Sequence, residues 1–244
     1  MPFGTLPVKA NAIPQFAPPY APMPYNYSDV TFLKISYRVT SASISHLVPD
    51  VLELEDEPLV SAMLVDYGMS TLGPYKEYIH TVDVTYKGKV SSFFLFVLLD
   101  NESGIFGGRE QYGYPKRFGH PFFNMETGSN MLEGYVEKPL GQKIIKFNFT
   151  PSSILPTEDQ AVKVLNLRVI PSPLEGQPPS VKELVPAVME IKPSEIWVGS
   201  GSISFPEPSA FDFIHRLEIL RYEPAVLIRR ATTVLQPSTE VFPL

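Results

Sequence analysis

Residues 107–119 read Gly107-Gly108-Arg109-Glu110-Gln111-Tyr112-Gly113-Tyr114-Pro115-Lys116-Arg117-Phe118-Gly119, a run that sets one lysine beside a fixed cation, between aromatics and glycines. An ordinary lysine has a pKa of about 10.4, so near neutrality only about one in a few thousand carries a free amine. Desolvation and a neighbouring positive charge both disfavour the ammonium form. This segment supplies the means for both, and it marks Lys116 as a candidate nucleophile toward a carbonyl carbon.

Outward from this run the chain is a succession of short β-rich stretches separated by turn residues, the pattern of an antiparallel sheet closing on itself. The strands expected are 30–39, 59–68, 76–87, 90–99, 132–137, 143–149, 163–171, 184–192, 195–205, 213–221 and 226–235. Lys87-Gly88-Lys89 reads as the hairpin turn between two of them. Two short helices interrupt the strands. One spans Thr40 to Leu47 and stops before Pro49. The other starts from an Asn101 cap and runs from Glu102 to about Gln111, weakened by Gly104, Gly107 and Gly108. Residues 1–25 carry seven prolines by position 24, which excludes helix and inner strand. They form a proline-rich arm, either laid on the body or a neighbouring subunit or left as a tail. Residues 26–244 form one domain.

With 244 residues and 44% apolar content, the chain can build one substantial core. The net charge is −6 and the basic residues are scattered, which argues against nucleic acid or an anionic membrane as partners. There is no cysteine, so disulfides and thiolate chemistry are excluded. The N-terminus lacks the basic and apolar regions of a secretory signal, and a cytoplasmic location is expected. The four histidines, at 46, 80, 120 and 215, never fall in ligand pairs, and no metal is expected.

Extended back through Leu99-Asp100-Asn101-Glu102, the opening run resembles the signature of the acetoacetate decarboxylase family, an N-E-x-x-x-x-x-G-R-E stretch leading into Y-P-K-K-x-G. Ser70-Thr71-Leu72-Gly73-Pro74-Tyr75-Lys76-Glu77 resembles the family's S-x-L-G-x-Y-x-E run, and Glu195-Ile196-Trp197-Val198-Gly199 its later E-x-W-x-G element. The resemblance covers about residues 27–234. It implies a mainly β fold, a cone-like closed barrel with a few short helices. It also implies a Schiff-base enzyme without a cofactor, acting on a small-molecule β-keto acid or ketone and working as a homo-oligomer. The family is itself the standing example of a lysine activated by its surroundings.

On this resemblance Lys116 is the Schiff-base lysine, and Glu77 is an active-site acid. Arg117 stands where the family usually has a second lysine, the cation invoked to activate the first. Tyr114 and Trp197 line the pocket or belong to the core. Arg109 serves either substrate or structure, and His120 is either a proton shuttle or a plain loop histidine. Two partners are missing. Counted without gaps, the family's early arginine and a further glutamate fall on Val30 and Ala62, apolar replacements that dry and enlarge the pocket and favour a bulkier, less charged substrate. Arg38 is the available substitute. Decarboxylation leads; an aldolase or dehydratase on a longer keto acid, and a noncatalytic ligand-binding barrel, stand as alternatives.

Overall fold

The computed structural model describes residues 1–9, 11–125, 127–209 and 212–244. In chain order the strands are β1 (Tyr25–Val39), β2 (Leu59–Ser70), β3 (Tyr75–Tyr86), β4 (Lys89–Leu99), β5 (Lys116–Phe118), β6 (His120–Asn124) and β7 (Leu132–Glu137). They continue as β8 (Lys143–Leu155), β9 (Gln160–Ile170), β10 (Val181–Lys192), β11 (Glu195–Ser204), β12 (Ile219–Tyr222), β13 (Ala225–Leu235) and β14 (Phe242–Pro243). Helix α1 (Ser41–Ile44) follows β1 and α2 (Glu102–Gly107) follows β4.

β1 to β4 form an antiparallel meander, and the β3–β4 hairpin turns on Lys87-Gly88, both at positive φ. The order then runs β4-β9-β10-β13, and β13 pairs back on β1, so seven strands close a barrel. Closure removes every free edge of that ring. The ring is mainly antiparallel, as expected; β9 joins β4 in parallel, and the short β5 also lies parallel to β4. From β13 the sheet continues outward as β11-β8-β7-β6 and packs over the outside of β1 to β4.

The β1 to β4 side of the barrel wall is therefore buried on both faces. Side chains alternate along a strand, so the β3 residues Tyr75, Glu77 and Ile79 point into the barrel with Phe32, Val65 and Tyr67. Tyr78 and Val82 join Ile35, Leu64 and Phe147 in a second core between barrel and outer sheet. In this outer layer the fully buried His80 takes Tyr37 on Nε2 at 2.6 Å and Tyr78 on Nδ1. Neutral imidazole has one donor and one acceptor nitrogen, so one tyrosine donates and the other accepts.

Both helices form where expected. Thr40 caps α1, which passes into a 3₁₀ turn at Ser45–Leu47. Asn101 caps α2 through Gly104 N at 2.7 Å, and α2 gives way to a π-helical turn, Gly108–Tyr112. The expected strand 213–221 is instead a 3₁₀ turn, Phe213–Arg216, followed by β12. Ile214 and Leu217 are both buried, and a spacing of three suits a 3₁₀ turn where a strand's period of two would not. The proline-rich arm packs on the chain's own body from Ala12 onward and passes into β1 at Tyr25, while Met1–Lys9 are exposed. Tyr20 donates to Glu110 at 2.6 Å, Ser103 to the Pro19 carbonyl at 2.5 Å and Tyr112 to Met23 Sδ at 2.7 Å. These contacts clamp the arm against α2 and its π turn.

Candidate active site

Lys116 opens β5, and because β5 runs beside β4 its side chain enters the barrel at the level of Val97. Its Nζ lies 2.8 Å from Oε1 of Glu77, and the two side chains are 9% and 4% exposed. The approach is off the hydrogen-bonding angle at Oε1. On the other oxygen, Tyr67 donates to Oε2 at 3.1 Å. The rings of Tyr114 and Tyr75 lie 5.4 and 6.0 Å from Nζ. Burial above all pushes the Tyr67, Tyr75 and Tyr114 hydroxyls well above the usual phenol range, so they remain protonated donors.

The π turn explains the lysine's direction. A Cβ on Gly108 would fall 2.6 and 2.7 Å from Cδ and Cε of Lys116, so only glycine lets the lysine stem lie against the turn. Arg109, in the same turn, donates from Nη1 to the Lys116 carbonyl at 3.1 Å. Of the two roles open to Arg109, this contact is the structural one: its guanidinium fastens the backbone that carries the lysine.

Arg117, one residue on, belongs to the opposite face of β5. Its Nη1 pairs with Asp212 Oδ1 at 2.9 Å, and its guanidinium lies 5.7 Å from the Phe96 ring of the outer core. Adjacent strand residues point to opposite faces, so the cation next to Lys116 in sequence is not its neighbour in the barrel. His120 sits with Arg117 and Lys138 around an open groove on that outer side.

Two further assignments change. Trp197 lies on β11, outside the barrel, where its indole donates to Glu195 and its ring packs on the outer core. Glu195 also pairs with Arg229 and Arg230, and the Trp197 hydrogen bond is the main cause holding its carboxyl below the usual range. Ala62 is fully buried but belongs to the outer core, in register with His80. The inward position is Ser61, whose hydroxyl meets Ser36 at 2.9 Å. Adjacent strand residues face opposite sides, so the counted position, Ala62, lies on the outer core and not on the cavity. Val30 is fully buried inside the barrel, paired with Tyr67. Arg38 pairs with Glu55 at 2.7 Å at the chain's surface and is not inside.

Beside the lysine–glutamate pair lies a cavity of about 240 Å³. Tyr67 and Tyr114, the rings that touch the pair, form part of its wall; Phe32, Met63, Ile79, Phe94, Met189 and Ile228 contribute most of the rest. Three residues of this site escaped the sequence reading. Tyr67 was findable, because the β2–β3 hairpin brings it opposite Tyr75, two places before Glu77. Ser61 needed the strand's facing. Asn166, fully buried on the inward face of β9, has an amide near the Tyr114 hydroxyl, yet neither of its polar atoms makes an aligned hydrogen bond. Among the described residues no cluster of three His, Cys, Asp or Glu could hold a metal ion, and no helix is long and apolar enough to cross a membrane.

The closed seven-stranded barrel is the fold of the acetoacetate decarboxylase-like class. The chain belongs to the acetoacetate decarboxylase family, whose model matches residues 7–241. It is 37% identical over 228 residues to Decarboxylase DEC1 of Cochliobolus heterostrophus, covering 91% of this chain and 90% of that one. A solved acetoacetate decarboxylase superposes with a TM-score of 0.83 at 22% identity, covering 97% of this chain and 96% of the other. The enduracididine biosynthesis enzyme MppR, complexed with the condensation product of pyruvate and imidazole 4-carboxaldehyde, shares the fold with a TM-score of 0.79 at 17% identity and 98% coverage of both chains.

Proposed function

We propose that this chain is a Schiff-base-forming decarboxylase of a β-keto acid, with Lys116 as the nucleophile and Glu77 as the proton-carrying partner. The observation that supports this reading is the buried 2.8 Å contact between Lys116 Nζ and Glu77 Oε1, beside Tyr67 and Tyr114, which line an apolar cavity. Moving one proton across that contact converts ammonium and carboxylate into amine and carboxylic acid. Both partners are removed from water.

The amine attacks the substrate's keto carbon, and Glu77 returns its proton to the departing oxygen, which leaves as water once the iminium forms. The bond from the α-carbon to the carboxylate then breaks. Carbon dioxide departs, and the electron pair passes through the new carbon–carbon double bond to the iminium nitrogen, giving an enamine. Protonation of the α-carbon and addition of water release the ketone and regenerate Lys116. The Tyr67 donor holds the other oxygen of Glu77, which leaves Oε1 on the side of the nitrogen, 2.8 Å away.

The same iminium supports condensation with an aldehyde, because that reaction also develops negative charge next to the imine carbon. The MppR complex is the observation on the side of this second reading. Borohydride reduction in the presence of β-keto acids tests the shared step, with a reduced adduct on Lys116 expected by mass spectrometry. Absence of an adduct across a broad panel would point to a noncatalytic binding barrel. Carbon dioxide release assayed beside aldehyde condensation then separates the two reactions, and condensation without release would overturn decarboxylation. The partner is a small molecule; a homo-oligomeric, cytoplasmic enzyme working without a cofactor completes the proposal.

A further inference from the structure

The cavity beside Lys116 extends well past the reacting groups. It begins past Tyr67 and Tyr114, at Ile79, the next inward residue of β3 after Glu77, and follows that strand to Thr81, roughly 7 Å at about 3.3 Å per residue. Its flanks are apolar on every side: Phe32 and Ile228 from β1 and β13, Ile79 and Phe94 from β3 and β4, Met189 from β10. Ser61, Thr81, Ser92 and Gln160 lie toward the far end, with Ser61 and Ser92 already bonded to Ser36 and Asp83. Among the described lining residues Lys34 alone carries a charge, and it is exposed.

A substrate no larger than acetoacetate, bonded to Lys116, would leave this apolar channel unfilled. An apolar tail filling it would expel water from Phe94 and Met189, and each methylene buried contributes to binding in proportion to its area. The two methionines on the wall, Met63 and Met189, have flexible thioether chains that fit around a tail without a fixed outline.

We propose that the barrel takes β-keto acids bearing an extended, unbranched apolar acyl tail, which lies along the channel between Phe94 and Met189 while the keto carbon meets Lys116. This deepens the Schiff-base reading and rests on it. Between Phe94 and Met189 the walls offer shape and apolar area, so tail length is the property selected.

The test uses the full chain with acetoacetate and its propyl, pentyl and heptyl homologues as probes. Borohydride trapping at Lys116 and carbon dioxide release are measured separately for each. The apparent trapping efficiency is expected to rise about fourfold per added methylene until the channel is full. Met189→Trp, which narrows the channel, is expected to bring the plateau to a shorter tail; Ile191→Phe provides a second narrowing should the first variant fail to fold. Trapping that is equal for all homologues, or best with acetoacetate, would overturn the tail proposal and leave the Schiff base standing. Trapping with none of them would remove the Schiff base itself, and the tail proposal with it.

Discussion

Lys116 Nζ and Glu77 Oε1 face each other at 2.8 Å inside a closed barrel, on strands that are joined only through β4. An ion pair so deeply buried has a defined energetic signature. Removing one partner leaves the other as an unpaired buried charge and costs about 3–5 kcal/mol, whereas replacing both with apolar side chains of similar volume is often neutral or stabilising. Glu77→Leu is thus expected to lower the urea midpoint strongly, and Lys116→Met with Glu77→Leu to restore it, with turnover absent in both. A double variant as unstable as the single one would show that the pair's packing, and not its charge, supports the barrel.

Lys116→Arg keeps the charge but cannot form an imine. Turnover is expected to fall to background while the protein remains folded, and retained turnover would contradict the nucleophile assignment. Gly108→Ala is the gentler companion. Its methyl would press on Cδ and Cε of Lys116, and displacing a reacting group by about 1 Å costs on the order of 100-fold in rate. A steady-state assay should find that loss with the circular dichroism spectrum unchanged.

Arg117 is expected to matter less than its place in the sequence suggests. Its guanidinium is 44% exposed and committed to Asp212, so the pair is worth at most about 1 kcal/mol. In Arg117→Met, the rate of borohydride trapping at Lys116 is expected to change less than about threefold across pH. A large shift of that pH profile would show that the guanidinium acts on the lysine through the strand.

Burial pushes His80 down to about 3 from an ordinary 6.5. Between those values the unfolded chain binds one more proton than the folded one, so this contribution to stability is whole above pH 6.5 and is lost as pH falls, at about 1.4 kcal/mol per unit. Urea midpoints taken between pH 7 and pH 4 should show that slope in the native chain. His80→Gln, which still offers a donor and an acceptor to Tyr37 and Tyr78, should flatten it by one proton. An unchanged slope would move the effect to another group.

Asn166→Leu is expected to stabilise the protein by about 1 kcal/mol or more, because it removes a fully buried amide whose atoms lack aligned hydrogen bonds and leaves an apolar side chain of similar size. Thermal unfolding measures this directly. A fall in Tm would mean that the amide's contact with Tyr114 is worth more than its desolvation.

Local chemistry is legible along this chain. The Lys87-Gly88 hairpin, the Thr40 and Asn101 caps and most strands follow from turn residues, capping side chains and β-rich runs, each of which acts over a few positions. The Lys116 and Glu77 motifs were legible too, as a resemblance. What stayed hidden was facing. Arg117, Trp197 and Ala62 sit in or beside family-like segments, yet all three lie on the outer side of the barrel wall. In a wall buried on both sides the hydrophobic pattern cannot tell inside from outside, since both faces are apolar.

The sequence by itself determined a lysine held among aromatics and glycines, a glutamate in a family-like strand and a chain of strands able to close. Tertiary structure alone decided that these two side chains meet, that the neighbouring arginine turns away to Asp212, and that an apolar channel extends beyond the pair. The reason is geometric: β5 joins β4 in parallel after an intervening helix, and that long-range pairing fixes which face of a three-residue strand looks inward.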